Sequence, residues 1–304
     1  MTAASSPTLN AGSRPQRTIA KEVNLSGRSL FHGYEGCITL QPAAENTGLV
    51  FQRTDLNGQP CIPATCEHVL KVPRRTAIGL SEDVRVETTE HLMSAFAGLQ
   101  VDNCLVRIDA PELPAVDGSC QPFCDLILNA GIETQTCPAQ FVLVGGPIQC
   151  VSSDGKQSLT LKPYLKRIPA ITYHLDYKAR SDIASQVYSI EVTPERFLDE
   201  IAAARTFVLE SEIKQLQAAG FGKHLTAKDI VVVSENGVID NEWRWPDEAV
   251  RHKILDLLGD LALSGAGFHG HVTATRSGHH LNHKLAYELN ERKQNLDTRG
   301  AKVA

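Results

Sequence analysis

The chain has 304 residues, 42% of them hydrophobic, enough to bury a substantial core in two domains or one large one. Its net charge of -5 at pH 7 excludes a nucleic-acid binder that works through bulk positive charge. The apolar stretches are short and broken by Gly or charge, so no segment is long enough to span a bilayer.

In chain order, residues 1–16 come first. They are polar, rich in small residues, lack the apolar core of a secretory signal, and read as a disordered leader. Residues 17–60 alternate in the manner of strands: RTIAKEVNL, EGCITLQPA, GLVFQRTDL. Val86 to Leu99 is expected to be helical, capped by Thr88 or Thr89, with Leu92, Met93, Phe96 and Leu99 on one apolar face. A strand (CLVRIDA), a Pro-broken loop (PELPAVDGS) and a second helix (PFCDLILNAG) closed by Gly131 follow.

The second half repeats this order. Pro246 to Leu263 forms a long amphipathic helix, HGHVTATR a strand, and NHKLAYELNERK a last helix. Glu90-His91 aligns loosely with Arg251-His252, and Gly98 with Gly259. This predicts an α+β protein of two structurally similar halves joined near residues 137–141, with residues 208–240 inserted in the second. The eight cysteines, all in the first half, form no C-x-x-C and read as reduced, partly buried thiols of a cytoplasmic protein.

Three clusters carry chemistry. His252 and Asp256 stand four apart on a helix and project from one face, a two-point grip for zinc, with Asp260 one turn further on. Taken alone, such a pair is more often a solvated ion pair. Charges within the apolar run ILDLLGDLAL, however, need a partner or a metal. Glu90-His91 opens the earlier helix, and a Glu beside a ligating His is a usual source of a general base. In RSGHHLNH, His279 is placed to protonate a leaving amine, whereas His280 and His283 read as exposed or structural. H-E-x-x-H and H-x-x-E-H are absent, so ligands must come from separate segments.

VETTEHLMSAFAGLQVDN, DAPELPAVDGSCQPF, IAAARTF, DEAVRHKILDLLGDLALSG and RSGHHLN occur in the order found in the zinc-dependent UDP-3-O-acyl-N-acetylglucosamine deacetylases of lipid A biosynthesis, which the chain resembles from about Arg17 to about Leu289. The resemblance implies two structurally similar two-layer α/β sandwich domains, residues 17–138 and 139–304, each with a small insert, and the active site between them. It implies His91, His252 and Asp256 as ligands of Zn2+, with Fe2+ as an alternative occupant. It further implies Glu90 as general base, His279 as general acid, Asp260 as support for its charged form, Thr206 and Lys253 as oxyanion stabilisers, and Leu30, Phe207 and Lys253 as substrate contacts. The second insert would form a passage for the acyl chain of an acylated UDP-N-acetylglucosamine, in a cytoplasmic monomer.

Two places depart from the family pattern. G-V-G-L-H-S-G reads Gly27-Arg28-Ser29-Leu30-Phe31-His32-Gly33, and the G-G-S turn of the second insert reads His224-Leu225-Thr226. Bulk at this turn raises a second reading, a zinc deacetylase of another acylated or non-acylated nucleotide sugar. The shape of the cavity near residues 206–232 separates the two.

Overall fold

The computed structural model describes residues 14–177, 183–227 and 229–300. Most of the expected leader lies outside these residues. Chain order begins with a strand at Pro15–Ile19, so Pro15 and Gln16 belong to the fold and not to the leader. Gln16 is buried because its amide donates to Asn46 Oδ1 and to the Pro138 carbonyl, which ties it beside the partner strand Ile132–Pro138.

Two five-stranded sheets dominate. The first runs, in spatial order, Val23–Arg28, Glu35–Pro42, Cys104–Ile108, Leu49–Arg53, Cys61–Pro63. The second runs Ile148–Val151, Ser158–Lys162, His271–Thr275, Ala170–Leu175, Gln186–Glu191. In each, the strand latest in sequence takes the central place. It lies antiparallel to one neighbour and parallel to the other. The order and the directions therefore repeat. Alternation explains why each sheet has one covered face: Glu35–Pro42 buries Ile38 and Leu40, and Cys104–Ile108 buries Cys104, Val106 and Ile108.

Each half also carries a three-stranded insert. Val69–Leu70, Ala77–Gly79 and Arg85–Glu87 form the first. Phe207–Leu209, Val231–Ser234 and Gly237–Val238 form the second, which also holds the helix Glu210–Ala218. Helices are numbered α1 (Glu90–Leu99), α2 (Gln121–Ala130), α3 (Pro194–Glu200), α4 (Glu210–Ala218), α5 (Glu248–Ala262) and α6 (His279–Gly300). Thus α1, central strand and α2 in one half match α5, central strand and α6 in the other.

The helix expected from Val86 starts later, at Glu90. Val86 and Glu87 instead pair with Ile78 and Ala77, and Thr88 turns the chain with φ +59. Neither threonine caps. The Thr88 hydroxyl donates to Glu112, and that of Thr89 to the Thr76 carbonyl, so long-range partners displaced the local bond.

Helix α1 packs on α5, α2 on α1, and α6 on α5, so the two helix layers meet at the middle of the molecule. Gly259 makes this contact close. A Cβ there would overlap the Glu90 carbonyl oxygen and press on the Ser94 amide nitrogen. Leu92, Met93, Phe96, Leu255 and Leu258 belong to one apolar core that continues across the seam. Each such side chain contributes about 1.5–3 kcal/mol on burial, against about 1 kcal/mol for a typical hydrogen bond. The apolar seam therefore joins the halves, and the polar groups at its edge are oriented by it. All eight cysteines are free thiols, and Cys66, Cys104, Cys120, Cys124 and Cys150 are buried. No helix among the described residues is long and apolar enough to cross a membrane.

Candidate active site

The crossing of α1 and α5 sets the first turn of α1 against the middle of α5. One ligand atom each from His91, His252 and Asp256 lies within 4.8 Å of the others, and all three residues are buried. Asp256 Oδ1 is 3.3 Å from His252 Nε2 and 3.8 Å from His91 Nε2. Their donor set suits a metal. His252 Nδ1–H donates to the Ala204 carbonyl at 3.0 Å, which fixes the tautomer and leaves Nε2 with a free lone pair. Burial, then the neighbouring His252, drives His91 down to about 3, and burial likewise lowers His252, so both imidazoles are neutral and able to ligate. Against burial, His252 and Lys253 hold Asp256 well below the usual carboxylate range. Two neutral imidazoles and a carboxylate with room beside them match a metal-hydrolase centre.

Glu90 stands beside this triad, since it precedes His91 in α1. Its Oε2 accepts the Thr76 amide at 3.1 Å, and its Oε1 faces His279 Nε2 at 3.8 Å. Burial pushes Glu90 up to about 8, Asp256 and Asp260 add to the push, and the His279 charge opposes it. A cation on the adjacent triad would lower it further.

His279 opens α6 across the cavity. Asp260, fully buried one turn beyond Asp256, accepts from His279 Nδ1 at 2.8 Å. Burial alone would lower His279, but the Asp260 charge and this hydrogen bond raise it to about 9. Asp260 is itself held by Thr76 Oγ1 at 2.5 Å, Asn282 Nδ2 at 2.8 Å and His283 Nε2 at 3.3 Å. The sequence reading missed Thr76, Asn282 and His283. His283 is four residues after His279, and that spacing on one helix face was the available signal.

The remaining expected residues surround the same space. Leu30, Thr206, Phe207 and Lys253 line a cavity of about 920 Å³ together with Glu90, the triad and His279. Asp260 lies behind His279, outside the lining. Lys253 Nζ pairs with Asp256 Oδ2 at 2.8 Å and sits 5.6 Å from the centre of the Phe207 ring. Phe207 meets His252 edge to face at 6.2 Å. Thr206 is placed by its neighbour Arg205, which reaches fully buried Glu248 at the start of α5 through Nε at 2.8 Å and Nη2 at 3.0 Å. Arg205 and Glu248 also escaped the sequence reading, although a charge entering an apolar helix start marks a buried partner. Beyond Thr206 the lining turns apolar, with Ile213, Leu216, Phe221, Leu225, Ile230 and Val232 all contributed by the second insert.

A metal-ready His2Asp triad flanked by a carboxylate and a carboxylate-backed histidine is the equipment of a metal-dependent hydrolase as a class. Residues 16–291 match the family described as UDP-3-O-acyl N-acetylglycosamine deacetylase, LpxC. The chain is 39% identical over 278 residues to the UDP-3-O-acyl-N-acetylglucosamine deacetylase of Geobacter sp. (strain M21), covering 91% of this chain and 89% of that protein. It is 37% identical to the enzyme of that name from Myxococcus xanthus (strain DK1622), covering 92% and 88%. It is 38% identical to the one from Chlamydia abortus (strain DSM 27085 / S26/3), covering 91% and 98%. The chain belongs to the UDP-3-O-acyl N-acetylglycosamine deacetylase family.

Proposed function

We propose that the chain hydrolyses the N-acetyl group of UDP-3-O-(3-hydroxyacyl)-N-acetylglucosamine in lipid A biosynthesis, releasing acetate and the free amine. The observation that carries this reading is the placement of Glu90 and the Asp260-backed His279, 3.8 Å apart, beside one His2Asp triad. His91, His252 and Asp256 would hold zinc, with Fe(II) as the alternative occupant. Bound there, the ion supplies a Lewis acid for the acetyl carbonyl and a lowered pKa for water.

The protein's own groups do the rest. The Glu90 carboxylate takes a proton from the attacking water. Lys253 and Thr206 donate to the oxygen that gains negative charge. His279, charged at neutral pH beside Asp260, gives its proton to the departing nitrogen. Phe207 and Leu30 wall the sugar side, and the apolar lining of the second insert takes the acyl chain. That lining favours an acylated substrate over the non-acylated alternative. The two sheets with their inserts are read as two two-layer domains, residues 17–138 and 139–304, acting as a cytoplasmic monomer.

Acetate release from the 3-O-acylated substrate and from UDP-N-acetylglucosamine tests the reading. The acylated compound should be turned over far faster, and equal rates would sink the acyl requirement.

A further inference from the structure

One stretch of the cavity wall is built from the two segments that depart from the family pattern. On one side, Glu112 is buried and accepts the amides of Phe31 at 2.8 Å and His32 at 3.0 Å, which fixes the loop after Arg28. On the other, the loop after α4 crosses from the second insert. The Gly222 amide donates to the Phe31 carbonyl at 2.8 Å, and His224 Nε2–H donates to the Ser29 carbonyl at 2.8 Å.

Rings lock the same junction. Phe31 and Phe221 meet edge to face at 5.7 Å, and the Arg75 guanidinium lies 4.4 Å from one ring centre and 5.0 Å from the other. Arg75 is itself paired with buried Glu87 at 2.6 Å. The His224 ring packs on Gly33, where φ is +72 and a Cβ would come within 2.6 Å of Nδ1. Only glycine admits both this backbone and this ring. Phe31, Phe221 and Leu225 line the cavity, whereas Arg75, Gly33 and His224 stand behind that wall and hold it.

We propose that this clasp sets the length of acyl chain the enzyme accepts. The inference rests on the functional reading above, that the apolar lining takes an acyl group. A chain running past Ile213, Leu216 and Val232 meets the Phe31–Phe221 wall, which two backbone-directed hydrogen bonds and a shared cation hold in place. His224 is a positioning residue: it acts through the wall and does not touch substrate.

The experiment compares kcat/KM for 3-O-(3-hydroxydecanoyl) and 3-O-(3-hydroxyoctadecanoyl) substrates. The wild type should favour the shorter chain. His224→Gly should raise the long-to-short ratio roughly tenfold or more, the scale at which a few methylenes are discriminated in a pocket. His224→Gln, which keeps a donor for the Ser29 carbonyl, should restore part of the original ratio. Phe221→Ala removes the wall itself and should shift the ratio in the same direction. A wild type that deacetylates both lengths equally, or a ratio unchanged in both His224→Gly and Phe221→Ala, would overturn the clasp while leaving the deacetylase reading intact. A wild type inactive on every acylated substrate would overturn both.

Discussion

Helices α1 and α5 occupy equivalent places beside sheets of the same strand order, yet they contribute unequally to the site. From α1 come His91 and Glu90; from α5 come His252, Asp256, Lys253 and Asp260. Their matching glycines differ too. Gly98 makes room for the Phe197 ring of α3, whereas Gly259 makes room for the backbone of α1 itself. The repeated scaffold thus carries an unequal crossing, close where Gly259 of α5 lets the backbone of α1 approach. Neither half holds the chemistry by itself.

The first way to break that comparison acts on Glu90, the general base proposed for α1. Glu90→Gln should lower kcat roughly 10²–10⁴-fold, the usual worth of a general base, while zinc content stays at the wild-type level. A rate near wild type, measured by acetate release, would remove Glu90 from the reaction.

The glycine pair sharpens the comparison next. Gly259→Ala should cost about 1–3 kcal/mol of stability through overpacking and also lower kcat by roughly 10², because α1 carries Glu90 and His91 away from α5. Gly98→Ala should lower the melting temperature by a comparable amount with much less effect on kcat, since its obstacle is a side chain of α3. Equal losses of activity in the two variants would show that the crossing does not place the site.

A smaller effect concerns Asp260. His279 should act as an acid only while protonated, and in the wild type that form persists until pH rises through about 9. Asp260→Asn removes the charge that raises it, and burial then lowers it, so the alkaline limb of kcat should move to lower pH. A limb that stays in place would assign it to another group.

Much of this was legible in the chain because it is local. Period-2 runs marked the strands, and the i, i+4 spacing of His252 and Asp256 marked a shared face. His91 was weak on spacing alone, and only the ordered motifs joined it to them. The parts that could not be read depend on distant partners. Val86 became strand because Ile78 pairs with it, and Thr88 gave its hydroxyl to Glu112. His283 read as exposed or structural because Thr76 and Asp260, which it meets, come from other segments. Gly259 stood in the sequence only as the counterpart of Gly98, because the Glu90 carbonyl that it makes room for comes from the other half. The clasp at His224 was visible only as bulk in place of glycine, and its partner Gly33 lies in the other half.

The central claim is that one metal is shared between the halves. Zinc content and affinity of the purified wild type, His91→Ala and His252→Ala measure it directly. One zinc per chain in the wild type, lost or greatly weakened in each variant, is the predicted result. A His91→Ala protein that keeps zinc at wild-type affinity would contradict it, since α5 alone would then suffice.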